Sequence, residues 1–312
     1  MTDGSVPQLV RPDWLEARLD DPDLRVLDCT VHLSFDPDTG ARREESGRAD
    51  WERGRVPGSG FADLLGDLSA TDDPDYPFEL PSADRFGAAM EALGVGDDSR
   101  VVLYDAAGNR WAARVWWLLR TFGFDRVGVL DGGWSRWTRE DRPVSTAPAG
   151  SRSTVPVDSE ATSPASVEST SASLTTTLRE RRVATKADVR ESIGREDRCL
   201  VDALRPEDYA GTGVVKYSRP GHIPSSVNVP AVGDAGVVDP ADGTYLPRDE
   251  LRRRFADAGV FDCERVITYC GGGIAASSVA FALELVGVDD VAVYDGSLSE
   301  WAADPALPME TE

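Results

Sequence analysis

One cysteine of this chain, Cys270, ends an apolar segment and directly precedes three glycines at positions 271–273. Residues 266–269 predict a buried strand, and a helix is predicted from about residue 275 to residue 285. Consecutive glycines can turn their N–H groups toward one point, to which the helix start adds its positive end. Such surroundings lower the pKa of a thiol and favour the nucleophilic thiolate. The pattern predicts a reactive thiol on a strand-to-helix turn; the alternative is a small buried residue before a flexible turn.

The other cysteines, Cys29, Cys199 and Cys263, show no CxxC spacing, which predicts neither a disulfide framework nor a zinc ribbon. Cys29 and Cys199 fall in or beside predicted strands and are expected to be buried thiols. Cys263 lies in a polar turn whose carboxylates should raise its pKa. With only His32 and His222 in the chain, a histidine-built metal site is not expected, and the predicted chemistry needs no cofactor.

The net charge of −22 arises from 55 acidic and 33 basic residues, and the only lysines are Lys186 and Lys216. Acidic residues are spread along the whole chain, as in proteins of organisms that keep molar salt in their cytoplasm, where carboxylate repulsion is screened. This charge disfavours nucleic acid and anionic membranes as partners. No apolar run of about 18 residues occurs, and the first residues lack the pattern of a signal peptide, so a cytoplasmic protein is predicted.

The second half of the chain repeats the first at an offset of 164 to 165 residues over its later segments. Residues 102–105 align with 267–270, and residues 129–132 align with 293–296. Earlier in each half, residues 26–28 match 200–202 and residues 54–57 match 221–224. Each copy alternates strands and helices, which predicts an α/β fold with a mainly parallel sheet flanked by helices on both faces. Asp105 stands where the second copy has its cysteine, so the first copy lacks the nucleophile.

The domain boundaries follow from this repeat and from composition. We expect an inactive domain at residues 1–147, a mobile linker rich in Ser, Thr and Pro at 148–180, and a catalytic domain at 181–312. Strands are predicted at residues 24–28, 101–104 and 127–130, and a helix capped by Ser82 is predicted from residue 83 to about residue 93. The acidic region that follows the first of these strands is expected to be rich in loops.

These motifs together resemble the tandem-domain rhodaneses, the thiosulfate and 3-mercaptopyruvate sulfurtransferases, over residues 8–147 and 181–312. The resemblance implies two rhodanese-like domains, of which the second carries a six-residue loop. In this chain the loop consists of Cys270, Gly271, Gly272, Gly273, Ile274 and Ala275. Also similar are the segments at 114–117, 221–224, 228–230 and 294–297, and Trp301.

The resemblance implies a sulfurtransferase that moves sulfur from thiosulfate, or a related donor such as 3-mercaptopyruvate, to cyanide or a thiol through a Cys270 persulfide. The backbone amides of residues 271–275 would stabilise thiolate and persulfide. A sulfur-acceptor protein is a further partner that the resemblance allows. Enzymes that use 3-mercaptopyruvate typically have serine at the third loop position and an upstream histidine, where this chain has Gly272 and Phe78. Thiosulfate enzymes often carry basic residues within the loop, and this loop has none, so the two departures weaken the 3-mercaptopyruvate reading without establishing the thiosulfate one. A thiosulfate sulfurtransferase is the first choice, and a 3-mercaptopyruvate sulfurtransferase is the second.

An anionic donor needs a cation at the mouth of the site, and Arg219 is the first candidate and Lys216 the second. The alternative for each is a solvated surface charge. His222 is expected to fix its own loop by hydrogen bonding rather than to act as a base. Asp202 and Arg205 are expected to form a structural pair near the site.

Two other functions are compatible with parts of the pattern. A cysteine-dependent phosphatase of the Cdc25 type shares the arrangement of strand, cysteine, loop and helix, but it needs an arginine six positions after the cysteine, where this chain has Ala276. A non-catalytic pair of rhodanese-like modules that binds or regulates a partner protein is the second alternative. Cys270 separates this reading from the enzyme, because a binding module needs no thiol beside converging amides.

Overall fold

The first domain is built on a five-stranded parallel sheet. The computed structural model describes residues 5–36, 38, 41–147 and 172–311. The strands of this domain are β1 (Leu9–Val10), β2 (Leu24–Asp28), β3 (Val31–Phe35), β4 (Arg42–Ser46), β5 (Gly60–Phe61), β6 (Arg100–Tyr104) and β7 (Val127–Leu130). Its helices are α1 (Pro12–Glu16), α2 (Arg48–Arg53), α3 (Ala83–Ala92), α4 (Arg110–Thr121) and α5 (Gly133–Arg139). The sheet order is β1-β7-β6-β2-β5, and β3 and β4 form a separate antiparallel hairpin.

The second domain repeats this sheet strand by strand. Its strands are β8 (Val183–Ala184), β9 (Arg198–Asp202), β10 (Val227–Asn228), β11 (Arg265–Tyr269) and β12 (Val291–Tyr294). Its helices are α6 (Lys186–Ser192), α7 (Pro206–Tyr209), α8 (Arg248–Asp257), α9 (Ile274–Leu285) and α10 (Ser297–Trp301). The order β8-β12-β11-β9-β10 is parallel throughout and matches the order of the first sheet. The predicted duplication of one α/β unit is therefore confirmed.

Both faces of each sheet are covered, as the nearly continuous apolar strands predict. In β6, Val101 and Leu103 join one apolar cluster, whereas Val102 and Tyr104 join another on the opposite face. The first of these clusters is shared, because helices α3 and α4 of the first domain and α8 and α9 of the second contribute to it. Helices α4 and α9 pack against each other, with the rings of Trp116 and Phe281 in a T-shaped contact at a centroid distance of 4.9 Å. One apolar layer thus joins the two sheets and fixes the relative position of the two loops that precede α4 and α9.

The hairpin of β3 and β4 was not predicted. Residues 31–35 do alternate apolar and polar side chains, but the polar and charged residues that follow, from 36 to 46, favoured loops. The predicted cap of α3 is confirmed, since Ser82 accepts a hydrogen bond from the backbone N–H of Arg85 at 3.3 Å.

The predicted linker at 148–180 can be followed only in part, because residues 148–171 lie outside the described residues. Its last part lies along the first domain. The Leu174 N–H donates to Glu91 at 2.9 Å, the Thr175 N–H to Asp97 at 2.7 Å, and Thr177 donates to a backbone carbonyl of the first domain. No helix among the described residues combines the length and apolar character needed to cross a membrane.

Cys199 and Cys263 form a disulfide, so the expectation of two separate thiols at these positions is wrong. Cys199 lies on β9 in register with Val266 of β11, and Cys263 lies just before the start of β11. Strand pairing therefore brings together two cysteines that are 64 residues apart in sequence. Cys29 is a free and fully buried thiol, as expected.

Candidate active site

Cys270 lies between β11 and α9, at the carboxyl end of the second sheet, as the sequence predicts. Its side chain is only 2% exposed, yet it lines a cavity of about 240 Å³. The walls of this cavity come from both domains: the β3–β4 hairpin and Phe78 from the first, and the Cys270 loop and residues 203–217 from the second. The thiol is therefore covered by the first domain and accessible through the cavity, not sealed in the core.

The start of α10 holds the Cys270 loop in place. Ser297 Oγ accepts hydrogen bonds from the N–H groups of Cys270 at 3.1 Å and Gly273 at 3.2 Å, and it donates to the carbonyl oxygen of Tyr294 at 2.7 Å. The Leu298 and Ser299 N–H groups donate to the Cys270 and Gly271 carbonyl oxygens at 3.0 and 2.9 Å. The predicted similarity at residues 294–297 thus corresponds to a support for the nucleophile loop.

Two of the three glycines are required by the space around them. Gly273 has a φ of +76°, and a Cβ there would lie 2.8 Å from Arg114 Nη1 and 2.9 Å from Asp295 Oδ1. A Cβ on Gly271 would lie 1.8 Å from the hydroxyl oxygen of Tyr217. Gly272 differs, because its φ is not positive and its nearest neighbour would be 3.6 Å from a Cβ. The loop therefore needs glycine at its second and fourth positions, whereas a Cβ at its third position would make only ordinary van der Waals contacts.

The corresponding loop of the first domain shows what such a turn binds. The carboxylate of Asp105 accepts four backbone hydrogen bonds, from Ala107 at 2.7 Å, Asn109 at 3.0 Å, Trp111 at 2.8 Å and Ala112 at 2.9 Å. The matching N–H groups at the start of α9 belong to Ala275 and Ala276, and they donate to no other residue that the structure describes. They remain available for a negative charge on the sulfur of Cys270.

A segment of the first domain, residues 76–80, covers the Cys270 loop. The Leu80 N–H donates to Asp295 Oδ2 at 2.8 Å, and Arg114 Nη2 donates to the Phe78 carbonyl oxygen at 2.6 Å. Arg114 and Asp295 also form an ion pair at 2.6 Å between the domains, and their side chains are 1% and 3% exposed. The nucleophile loop is thus fixed by a buried contact with the first domain.

The second domain makes the equivalent contact with the first domain. The Tyr245 N–H donates to Asp131 Oδ1 at 3.0 Å, and Asn109 Nδ2 donates to the Gly243 carbonyl oxygen at 2.8 Å. Residues 76–80 and 243–245, here called the covering segments, occupy equivalent places in the two halves. Each covering segment crosses to the loop of the other domain, so neither loop is completed by its own domain alone.

Four cations line the cavity, together with one carboxylate. They are Arg42 and Arg110 from the first domain and Arg205 and Lys216 from the second, and the carboxylate is Asp208. Lys216 pairs with Asp208 at 2.8 Å, and Arg42 pairs with Glu44. Arg205 is 4.0 Å from Glu207. No described carboxylate lies within 4.0 Å of the Arg110 guanidinium, so this chain of net charge −22 has an excess of positive charge at its nucleophile.

The first-choice donor-binding residue, Arg219, is not brought to this cavity. Its guanidinium donates to the carbonyl oxygens of Trp301, Ala302, Asp304 and Leu307 at 2.7 to 3.1 Å. It therefore fastens the C-terminal segment, and the expectation that it lies at the mouth of the site is wrong. Lys216, the second choice, does line the cavity, and its ammonium lies 5.3 Å from the centre of the Phe35 ring.

The expected pair of Asp202 and Arg205 does not form. The Asp202 side chain is fully buried and accepts from the Leu204 N–H at 2.8 Å, and burial raises its pKa to about 7. Arg205 is 60% exposed and faces the cavity. The chain bends at residue 204, so the side chain of Asp202 stays in the interior and the guanidinium of Arg205 faces the cavity.

The ring of His222 fixes its loop, in agreement with the predicted structural role. Its Nδ1–H donates to the carbonyl oxygen of Tyr209 at 2.8 Å, and the two rings stack at a centroid distance of 3.7 Å. His222 is not among the residues that line the cavity. It supports the segment that leads to Ser226, which in turn bonds the Tyr269 hydroxyl at 2.7 Å, next to the nucleophile.

The sequence reading missed several residues that line the cavity. Arg42 and Phe35 belong to the unpredicted hairpin, and Arg110 starts a helix of the domain expected to be inactive. Tyr217 places its hydroxyl against Gly271. Burial, and next the charge on Cys270, raise the pKa of Tyr217, so its hydroxyl stays protonated and can donate a hydrogen bond. A basic residue at the first position of the helix after Asp105 was the one signal that the sequence offered for Arg110.

No group of histidine, cysteine and acidic side chains in the described part of the chain could hold a metal ion. The thiol at the end of the cavity suits sulfur chemistry, since thiolate and persulfide are themselves good nucleophiles.

Residues 11–140 and 185–304 each match the rhodanese-like domain family. The chain is 32% identical to the mitochondrial thiosulfate/3-mercaptopyruvate sulfurtransferase 1 of Arabidopsis thaliana, over 97% of this chain and 78% of the relative. It is 33% identical to the thiosulfate sulfurtransferase of Rattus norvegicus, over 94% of this chain and 91% of the relative. It is 30% identical to the 3-mercaptopyruvate sulfurtransferase of Escherichia coli strain K12, over 98% and 99%.

Solved structures show the same fold. The crystal structure of a 3-mercaptopyruvate sulfotransferase from Escherichia coli superposes with a TM-score of 0.72 at 27% identity, over 94% of this chain and 99% of that one. An anaerobic ergothioneine biosynthesis enzyme from Chlorobium limicola superposes with a TM-score of 0.75 at 22% identity, over 97% of this chain and 70% of that one. The second likeness concerns the fold alone.

Proposed function

We propose that thiosulfate is the sulfur donor of this chain, which belongs to the rhodanese family and acts as a sulfurtransferase. Relatives named for thiosulfate and relatives named for 3-mercaptopyruvate match it about equally well, so the donor has to be argued from the site. The observation that carries the proposal is the group of four cations around a small cavity that ends on Cys270. Such a cavity suits a compact donor with high negative charge.

The reaction has two displacement steps. The Cys270 thiolate attacks the outer sulfur of thiosulfate, a bond forms between the two sulfurs, and sulfite leaves with the electron pair of the broken bond. Cyanide or a thiolate then attacks the outer sulfur of the persulfide and restores the Cys270 thiolate. The free N–H groups at the start of α9 stabilise the anion on sulfur in each resting form. Neither step requires a side-chain acid or base.

3-Mercaptopyruvate is the second candidate donor. After it gives up its sulfur, the pyruvate part leaves as an enolate that must take up a proton, whereas sulfite needs none. Gly272 and Phe78 offer no hydroxyl or imidazole for that proton transfer, and burial raises the pKa of the Tyr217 hydroxyl, which makes it a poor acid. This difference favours thiosulfate.

A module that only binds a partner protein would need neither the four cations around the cavity nor a thiol at the end of the cavity.

The cytoplasm is the proposed location, and high intracellular salt the proposed setting. The support is the even spread of acidic residues, which suits a protein dissolved in molar salt. The Cys199–Cys263 disulfide stands against a strongly reducing cytoplasm, because such bonds are rare there. Fractionation of the source cells tests the location. Thiol labelling of the protein after rapid acid quenching tests whether the Cys199–Cys263 disulfide forms there.

The donor is tested by mass spectrometry and by steady-state kinetics in molar KCl. Thiosulfate should add the mass of one sulfur atom to the Cys270 peptide, and kcat/KM should exceed that for 3-mercaptopyruvate by roughly tenfold or more. Cys270→Ser should abolish both signals, whereas Cys29→Ser, which removes the other free thiol, should keep them. A wild-type protein that takes sulfur only from 3-mercaptopyruvate, or from no donor, would refute the proposal.

A further inference from the structure

We infer that Arg110 of the first domain and Arg205 of the second form one anion site that holds the oxyanion end of the sulfur donor. The domain without a nucleophile would then take a direct part in substrate binding. This inference rests on the proposed function only in requiring an anionic donor. It concerns the residues that recognise the charge, which neither the family match nor the relatives assign.

Arg110 is a cation without an ionic partner. It occupies the first position of α4, and its side chain reaches the cavity that ends on Cys270. Its Nε is buried without a hydrogen-bond partner, and no described carboxylate lies within ion-pair distance. The nearby Asp105 does not serve as one, because its carboxylate oxygens accept the four backbone N–H groups of its own loop. A half-buried guanidinium whose Nε is shielded from water without a partner is unfavourable unless an anion reaches it.

Arg205 brings a second positive charge to the same place from the other domain. Both guanidinium groups line the cavity, so their like charges repel each other. Burial lowers the pKa of Arg110, the charge of Asp105 raises it, and the charge of Arg205 lowers it further. Arg205 has a distant, solvent-exposed partner, Glu207 at 4.0 Å, whereas Lys216 is neutralised by Asp208 at 2.8 Å and Arg42 by Glu44. Two like charges facing one cavity, in a chain with a large excess of carboxylates, are typical of an anion site.

The chemistry of the donor fits this pair. A guanidinium presents planar N–H donors that match the oxygens of a sulfonate or carboxylate. With the sulfonate oxygens of thiosulfate between Arg110 and Arg205, the outer sulfur is left free for Cys270. As the S–S bond of the donor breaks, its electron pair moves onto the sulfite, and the same two cations stabilise the leaving anion.

The helices make this arrangement rigid. Arg110 precedes Trp111 and Ala112, whose N–H groups bind Asp105, so the start of α4 is fixed by its own loop. Because α4 packs on α9, the first residue of α4 keeps a constant position relative to Cys270. Asp105 therefore has a positive role in the first domain: it holds the turn that presents Arg110.

The test uses the full chain with Arg110→Gln, Arg110→Lys and Arg205→Gln, and Arg126→Gln as a control for the loss of one charge at an exposed site. The first readout is the KM for thiosulfate against kcat. The second is protection of Cys270 by inorganic sulfate against alkylation by uncharged iodoacetamide, followed on the Cys270 peptide. Sulfate protection needs no sulfur transfer, so it reports the anion site even if thiosulfate proves not to be the donor.

We expect Arg110→Gln and Arg205→Gln each to raise KM and to weaken sulfate protection by roughly tenfold to a hundredfold, with a smaller change in kcat. Arg110→Lys should lie between them and the wild type, and Arg126→Gln should match the wild type. Alkylation without sulfate should still occur in every variant. Unchanged sulfate protection in Arg110→Gln would overturn the inference. If that variant does not fold, unchanged protection in both Arg110→Lys and Arg205→Gln would overturn it.

Discussion

Replacing Gly273 by alanine gives the sharpest test of how the nucleophile loop is positioned. The new Cβ would place a non-glycine residue at a φ of +76°, which costs about 1–2 kcal/mol. It would also lie 2.8 Å from Arg114 Nη1 and 2.9 Å from Asp295 Oδ1. Neither partner can yield easily, because Phe78 and Leu80 of the covering segment hold them and both are almost fully buried.

The buried pair must therefore separate in part, and leaving one charge of such a pair buried without its partner costs about 3–5 kcal/mol. We expect Gly273→Ala to lower the free energy of unfolding by about 2–4 kcal/mol in total. The loop also carries the Gly273 N–H that binds Ser297, so it should shift relative to the start of α9. A misplacement of about 1 Å lowers the rate of persulfide formation by roughly a hundredfold.

Gly272→Ala is the matched control, because it adds the same methyl group one residue earlier, at an ordinary φ and with no neighbour closer than 3.6 Å. Urea unfolding measures the stability of both variants, and single-turnover mass spectrometry with saturating thiosulfate measures persulfide formation at Cys270. Gly272→Ala should stay within roughly threefold of the wild-type rate. If both variants behave alike, the positive φ of Gly273 and the Arg114–Asp295 pair do not position the loop, and the reasoning fails.

Three further predictions concern stability. Reduction of the Cys199–Cys263 bond should lower the free energy of urea unfolding by roughly 2–4 kcal/mol, because the bond closes a loop across 64 residues; an unchanged midpoint in reductant would contradict this. The melting temperature should rise from dilute buffer to molar KCl, since salt screens a net charge of −22, and equal values would remove the case for a salt-adapted surface. Burial raises the pKa of Asp202 from 3.8 in the unfolded chain to about 7 in the fold, so the fold should bind more protons between these values and lose stability as pH rises through them. The stability of Asp202→Asn relative to the wild type should therefore grow by roughly 2–4 kcal/mol from pH 4 to pH 8, and a constant difference would show that Asp202 does not titrate in this way.

Elements whose signal lies in consecutive residues were predictable from the sequence. The apolar strands at 24–28 and 127–130 have the predicted bounds, and the nucleophile loop could be placed because strand, cysteine, glycines and helix follow one another directly. The duplication was visible because the residues at the ends of the strands are similar in the two halves, as in residues 129–132 and 293–296. Each of these patterns consists of residues that are close together in the sequence, so no contact between distant segments was needed to recognise it.

Features that depend on contact between distant segments were not predictable. The strand that carries Arg42, residues 42–46, has only polar and charged side chains, so its pairing with residues 31–35 leaves no signal in its own sequence. The partners of Arg219 are carbonyl oxygens at residues 301–307, which no pattern near Arg219 reveals. Cys199 and Cys263 pair only because β9 lies next to β11.

The two covering segments make each half of the chain a structural component of the other. Cleaving the polypeptide between the halves and keeping only the portion with Cys270 would remove the residues that lie over the loop, including the carbonyl of Phe78 and the N–H of Leu80. Asp295 would lose its ion pair, and the thiol would face bulk water in place of a narrow chamber. We therefore expect the half that contains Cys270 to lose its covered site when it is expressed alone, so an engineered variant should keep both domains.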